Sequence, residues 1–221
     1  MAIKVEVWGD YACFTRPELK VERMSYDVIT PSAARGVLDA IYWHPGMAWR
    51  IDRIHVLNPI RFTGVRRNEV KSKISASNVR EVMNGKSRAL SICTVGKIIQ
   101  QRAATVLQDV HYVIEAHFVM TDQAAESDNP GKFCDIMRRR LEKGQCYHQP
   151  CLGTREFPAH FRAWAGGEIV TAYPDSHRDL GLMLYDMDYS DPADIQPMFF
   201  RAALENGVLR VPAPDSAEVL R

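Results

Sequence analysis

Residues 30–57, TPSAARGVLDAIYWHPGMAWRIDRIHVL, decide the fold because they read as a helix followed at once by a strand. Thr30 suits an N-cap and Pro31 the first helical turn, where a missing N–H costs nothing. Ala33, Ala34, Val37, Leu38 and Ile41 recur at helical spacing and form one apolar stripe. Pro45-Gly46 ends the helix just after Tyr42-Trp43-His44. Trp49, Ile51, Ile54 and Val56 then largely alternate with polar residues up to Leu57, which is the period of a half-buried strand.

Working outward, Ile3 to Trp8 alternates with Ile3, Val5 and Val7 on one face, and Gly9-Asp10-Tyr11 reads as a break or bulge. Thr105 to Met120 is a long strand. Lys132 to Lys143 is an amphipathic helix with Phe133, Ile136, Met137 and Leu141 inward, Arg138, Arg139 and Arg140 on its polar face, and Gly144 as its stop. With one more strand after Gln149, the order is β-α-β-β-α-β, the split βαβ pattern of a ferredoxin-like (RRM-like) domain. The expected fold class is therefore α+β, with a ferredoxin-like domain over residues 1–150. Beyond Pro150, glycines and prolines interrupt short strands such as Leu182 to Tyr185, Met198 to Ala202 and Val208 to Val211, which predicts a small C-terminal antiparallel β-subdomain over 151–221.

Between the second and third strands lies a long insertion, about 61–104, expected to be a basic β-hairpin arm. Residues 61–102 hold ten Lys or Arg against only Glu69 and Glu81. The segment is thus near +8, on a remainder near −7, although the whole chain sums to +1. A polyanion responds to that local field and not to the sum. Arg66, Arg67, Lys71 and Lys73, then Arg80, Lys86, Arg88, Lys97 and Arg102, are interspersed with Gly and Ser, and no large aromatic follows Phe62. This composition suits a backbone-gripping nucleic-acid arm better than a base-stacking platform; the alternative is a solvated loop.

Other classes are excluded by what is missing. No apolar run reaches the ~20 residues of a membrane span, and the N-terminus lacks a signal peptide's apolar block, so a cytoplasmic location and no membrane partner are expected. Five scattered cysteines match no zinc spacing, and there is no P-loop, GxGxxG, GxSxG or HExxH, so no metal or cofactor is expected. The residues left for chemistry are Tyr42 at the first helix's end, His44 beyond it, and Lys132 at the second helix's start. Side-by-side helices could bring Tyr42 and Lys132 together, and a cation at a helix N-terminus is better tolerated beside a phosphate. Gly153-Thr154-Arg155-Glu156 is a second site of interest, where backbone N–H groups and a guanidinium could meet a phosphate or base edge. The plainer reading is a turn with a structural ion pair.

Nine segments in order carry a resemblance: Gly9 to Phe14, Ser25 to Val28, Pro31 to Gly36, Ala40 to Pro45, Ile51 to Arg53, Glu115 to Phe118, Gly131-Lys132, Arg139 to Gly144 and Leu152 to Glu156. Together they closely resemble the type I-C branch of the Cas5 family of CRISPR-associated proteins, within the RAMP superfamily. The match runs from residue 3 to about 160 and more loosely to the end. The resemblance implies a ferredoxin-like domain with a small C-terminal β-domain. It also implies a metal-independent endoribonuclease that cuts the CRISPR repeat hairpin and leaves a 2′,3′-cyclic phosphate. The protein would then stay on the crRNA 5′ handle beside the backbone and large subunits of the Cascade complex, with target DNA in the assembly.

The family's catalytic tyrosine falls on Tyr42 and its lysine on Lys132, but the adjacent histidine position holds Phe133. Either another residue transfers the proton, with His44 and His117 the imidazoles to examine, or the chain caps the handle without cutting. Phe133 also fits the helix's apolar stripe. A neighbouring Lys⁺ is expected to lower the Tyr42 pKa and help it act. Arg35, Arg66, Arg67, Lys71, Lys73 and Arg155 are the expected RNA-binding residues.

Overall fold

The computed structural model describes residues 2–71, 73–87, 89–90 and 99–221; Arg88, Cys93 and Lys97 lie outside them. In chain order the elements are β1 (Ile3–Ala12), β2 (Arg23–Met24), α1 (Pro31–Ile41), β3 (Met47–Val56), β4 (Phe62–Val70) and α2 (Ala76–Met83). They continue with β5 (Ile99–Met120), α3 (Pro130–Lys143), β6 (His160–Ala163), β7 (His177–Asp188), β8 (Gln196–Glu205), β9 (Val208–Arg210) and β10 (Val219–Leu220). The result is an α+β fold with one large antiparallel sheet and, among the described residues, three helices.

The centre of the sheet runs β6-β1-β5-β3. β5 lies antiparallel between β1 and β3, with Val5 opposite Ile114 and Trp49 opposite Phe118. Helix α1 therefore leads from β1 to a strand two places away, and β5 fills the gap. Val5, Val7, Ile54, Ile114 and Ala116 enter one core with Val37, Leu38 and Ile41 of α1 and with Phe133, Met137 and Leu141 of α3. Burying an apolar stripe of each helix on the sheet supplies most of the driving force for this arrangement.

Two readings change. β1 does not break at Gly9: its pairing with β5 continues to Ala12. A Cβ at Gly9 would stand 2.6 Å from Leu152 Cδ1, so the glycine serves close approach of the 150s segment and not a bend. The insertion also contains a helix that the sequence reading did not anticipate. Gly64–Ala104 forms a compact unit of its own from most of β4, α2 and the start of β5, with Ser75 as the N-cap of α2. No residue of this eight-residue helix is buried, and so short an element lacks a legible apolar stripe.

Residues 177–220 supply the antiparallel strands β7 to β10. They join the main sheet where β9 pairs with β3, Arg53 opposite Arg210. The other compact unit comprises 1–63 together with 105–221. Among the described residues no helix is long and apolar enough to cross a membrane.

Candidate active site

Tyr42 is the C-cap of α1 and turns extended there, at φ −151° and ψ 120°. Its N–H still bonds Leu38 O (2.8 Å), while its own carbonyl accepts from Trp49 Nε1 at 2.9 Å. These bonds hold the phenol at the α1–β3 corner, almost fully buried. The Arg140 guanidinium lies over its ring, 5.0 Å from the centroid, and Arg140 also donates to the Ile41 carbonyl. Arg140 thus leaves the polar face where its sequence position placed it and ties α3 to the end of α1.

On α3, Asn129 caps the helix by accepting from Lys132 N at 2.8 Å, with Pro130 in the first turn. The Lys132 ammonium bonds Asp128 Oδ1 at 2.9 Å. A carboxylate just ahead of the helix thereby offsets the poor position of a cation near the positive end of the dipole. The bonded Lys132 in turn holds the Asp128 carboxyl below its ordinary range, and the Ala125 N–H donates to its other oxygen.

Tyr42 and Lys132 do come into electrostatic reach, but the expected effect on the phenol is reversed. Burial raises its pKa, and the opposing pull of Lys132 and Arg140 does not overcome it. The phenol therefore holds its proton more firmly than a free tyrosine does. Phe133 is wholly buried, with ring centroids 6.1 Å from Tyr42, 5.9 Å from Phe118 and 4.9 Å from His44. It belongs to the apolar stripe. His44 stands on this ring with Nδ1 3.1 Å from Gly46 N and 3.7 Å from Asp128 Oδ2. His117 is committed elsewhere, its Nδ1 2.9 Å from Asp52 Oδ1.

The expected RNA contacts fare unequally. Arg35 is consumed: its guanidinium bonds Asp186 twice, at 2.7 and 2.9 Å, and Asp39 at 2.8 Å. The two carboxylates pull its pKa up, and it pins α1 to β7 with part of its side chain still open to solvent. Arg66, Lys71 and Lys73 are exposed in the inserted unit, whereas Arg67 is half-buried with Glu69 Oε1 at 3.9 Å. Arg155 is exposed, and Glu156 beside it accepts from Thr154 Oγ1 at 3.1 Å. It borders an open cavity of about 510 Å³ with His148 and Gln149. Among the described residues no group of His, Cys, Asp and Glu is arranged to hold a metal ion.

Sequence reading missed Asp128, Asn129 and the inward turn of Arg140. Asn129-Pro130 was a legible cap signal; the pairing of Asp128 with Lys132 is an ordinary i,i+4 spacing that only the cap geometry makes productive.

Comparison with known proteins places this geometry in context. A family model described as CRISPR-associated protein Cas5, of the Cas5d type, matches residues 2–212. The CRISPR pre-crRNA endoribonuclease Cas5d of Mannheimia succiniciproducens is 53% identical over 99% of this chain and 98% of its own. The corresponding protein of Thermus thermophilus is 40% identical over 99% and 95%. The crystal structure of a CRISPR-associated protein superposes with a TM-score of 0.71 at 25% identity, covering 100% of this chain and 97% of that one. A match that spans both the sheet and the Tyr42–Lys132 corner, at such identity and coverage, means that this chain belongs to the Cas5d family of CRISPR-associated proteins.

Proposed function

We propose that this chain is a metal-independent endoribonuclease that cuts the repeat hairpin of precursor CRISPR RNA. It then stays on the 5′ handle of the guide as a subunit of the surveillance complex. The observation that carries the reading is the convergence of Tyr42 and Lys132, from two helices, in a chain 53% identical to a pre-crRNA endoribonuclease. The scaffold is read as a ferredoxin-like domain, with β6-β1-β5-β3 as its sheet, carrying a basic insertion and an accessory C-terminal β-subdomain.

The RNA 2′-oxygen attacks the adjacent phosphorus, the P–O5′ bond breaks, and a 2′,3′-cyclic phosphate and a 5′-hydroxyl result. Lys132 stabilises charge building on the phosphate oxygens, exchanging Asp128 for the substrate. Tyr42, held protonated, donates toward the departing oxygen. Arg66, Arg67, Lys71, Lys73 and Arg155 grip the RNA backbone, while Arg35 serves the fold. The test is incubation with the cognate repeat RNA in EDTA, with product ends identified. Tyr42→Phe and Lys132→Ala should each slow cleavage by about 10²- to 10⁴-fold. Wild-type rates in both would remove them from the mechanism.

A second reading has one observation behind it. Phe133 fills the family's histidine position and is core, which suits a subunit that binds the handle without cutting. Tight binding with no cleavage by the wild type would select it.

A further inference from the structure

We propose that His44 is the proton-transfer group of the cleavage reaction and that Asp128 positions it, an inference that rests on the endoribonuclease reading above. A phenyl ring at position 133 transfers no proton, yet the His44 imidazole packs against that ring, tilted by 41° with centroids 4.9 Å apart. The imidazole therefore stands beside the place where Phe133 cannot act. It is partly open to solvent, with 35% of its side chain exposed. Its Nδ1 accepts the Gly46 N–H at 3.1 Å and faces Asp128, which leaves Nε2, with the ring proton, on the open side.

Asp128 from the loop before α3 and Phe133 from α3 stand against His44, and these two in turn touch Lys132 and Tyr42. One carboxylate links His44 to Lys132: Asp128 Oδ1 holds the Lys132 ammonium at 2.9 Å, and Oδ2 lies 3.7 Å from His44 Nδ1. The approach depends on Gly46, where a Cβ would stand 2.9 Å from Ala124 Cα and 3.1 Å from Asp128 Oδ2. A larger residue would push out the loop that carries the carboxylate.

This arrangement lets substrate binding set the proton. A phosphate that engages Lys132 competes with Asp128 for the ammonium. The released carboxylate then draws a proton onto Nδ1 in place of the Gly46 N–H contact: water gives that proton as Nε2 gives its own to water, so the lone pair moves to Nε2, the state a general base needs. As the O2′–P bond forms, Nε2 takes the 2′ proton. As P–O5′ breaks, the Tyr42 hydroxyl gives its proton to O5′. The imidazolium, stabilised by Asp128, returns its proton through water to the phenolate, so the site ends as it began.

The test is single-turnover cleavage of the chain's own repeat RNA in EDTA across about pH 5 to 8, the imidazole range. Rates, RNA affinity and melting temperature are compared for wild type, His44→Ala, His44→Gln and Asp128→Asn. Both His44 variants should lose about 10²- to 10⁴-fold in rate and the imidazole limb of the pH profile, with RNA affinity kept. Added imidazole should restore part of the His44→Ala rate. Asp128→Asn should lower the rate and displace the same limb. A wild-type rate and pH profile in the His44 variants would overturn the assignment, as would a rate loss matched by an equal loss of affinity. A wild type that cuts at no pH would instead overturn the endoribonuclease reading itself.

Discussion

Replacing Phe133 by histidine restores the residue that the family pattern implies, and the structure says that it will damage the protein without accelerating it. The side chain is fully buried, enclosed by the rings of Tyr42, His44 and Phe118. Truncating a buried Phe to Ala costs about 3–5 kcal/mol, which bounds the lost packing from above. A histidine recovers part of that volume but buries ring nitrogens among aromatic faces, and an unsatisfied polar group costs about 1–3 kcal/mol. A net loss of about 3 kcal/mol follows. For a chain of this size each kcal/mol moves the melting temperature by about 2–4 °C, so a drop of about 6–12 °C is expected. The assay pairs thermal unfolding by circular dichroism with single-turnover cleavage, and Phe133→Leu serves as the apolar control. A Phe133→His protein that melts with the wild type and cleaves faster would show that this side chain faces substrate, and the packing argument would fall.

Arg35→Ala should lower stability by roughly 2 kcal/mol, short of the roughly 3–5 kcal/mol of a fully enclosed pair, because it strands Asp186 and Asp39. Calorimetry and an RNA titration together check it, and weakened binding at unchanged stability would restore Arg35 to the RNA interface. Converting Arg66, Lys71 and Lys73 to Ala should flatten the slope of log K against log salt by about 2, at about 0.7 per lost phosphate contact; an unchanged slope in filter binding would take RNA off these residues. The bonded Arg162 guanidinium, with His111 assisting, holds the Glu6 carboxyl below its ordinary range. A depressed folded-state pKa stabilises above the unfolded value of about 4.3 and is lost as pH falls through the folded one. Glu6→Gln should therefore melt below wild type near neutrality, with the gap closing in acid; a gap constant with pH would sink the assignment.

Much of the framework was legible along the chain because it depends on neighbours. Thr30 caps α1 through Ala33 N, Gly144 ends α3, and the alternation of β3 and β5 marks which face meets the helices. Each is a contact between residues a few places apart, so periodicity and cap chemistry report it. The pair Tyr42 and Lys132 was likewise reachable, once two helices on one sheet face were inferred and the family resemblance was added.

What the chain could not announce are contacts chosen by packing. Arg35 reads as a free cation until Asp186, 151 residues away, takes its guanidinium. Phe133 reads equally as a vacant catalytic position or as core until three aromatic rings close on it. The sign of the Tyr42 shift rests on whether burial outweighs two nearby cations, a balance of distances that no local pattern contains. His44 gains its imidazole environment only because Gly46 lets Asp128 approach. Local sequence sets which backbone shapes are cheap, whereas the environment of a charge is set by whatever the folded chain brings beside it.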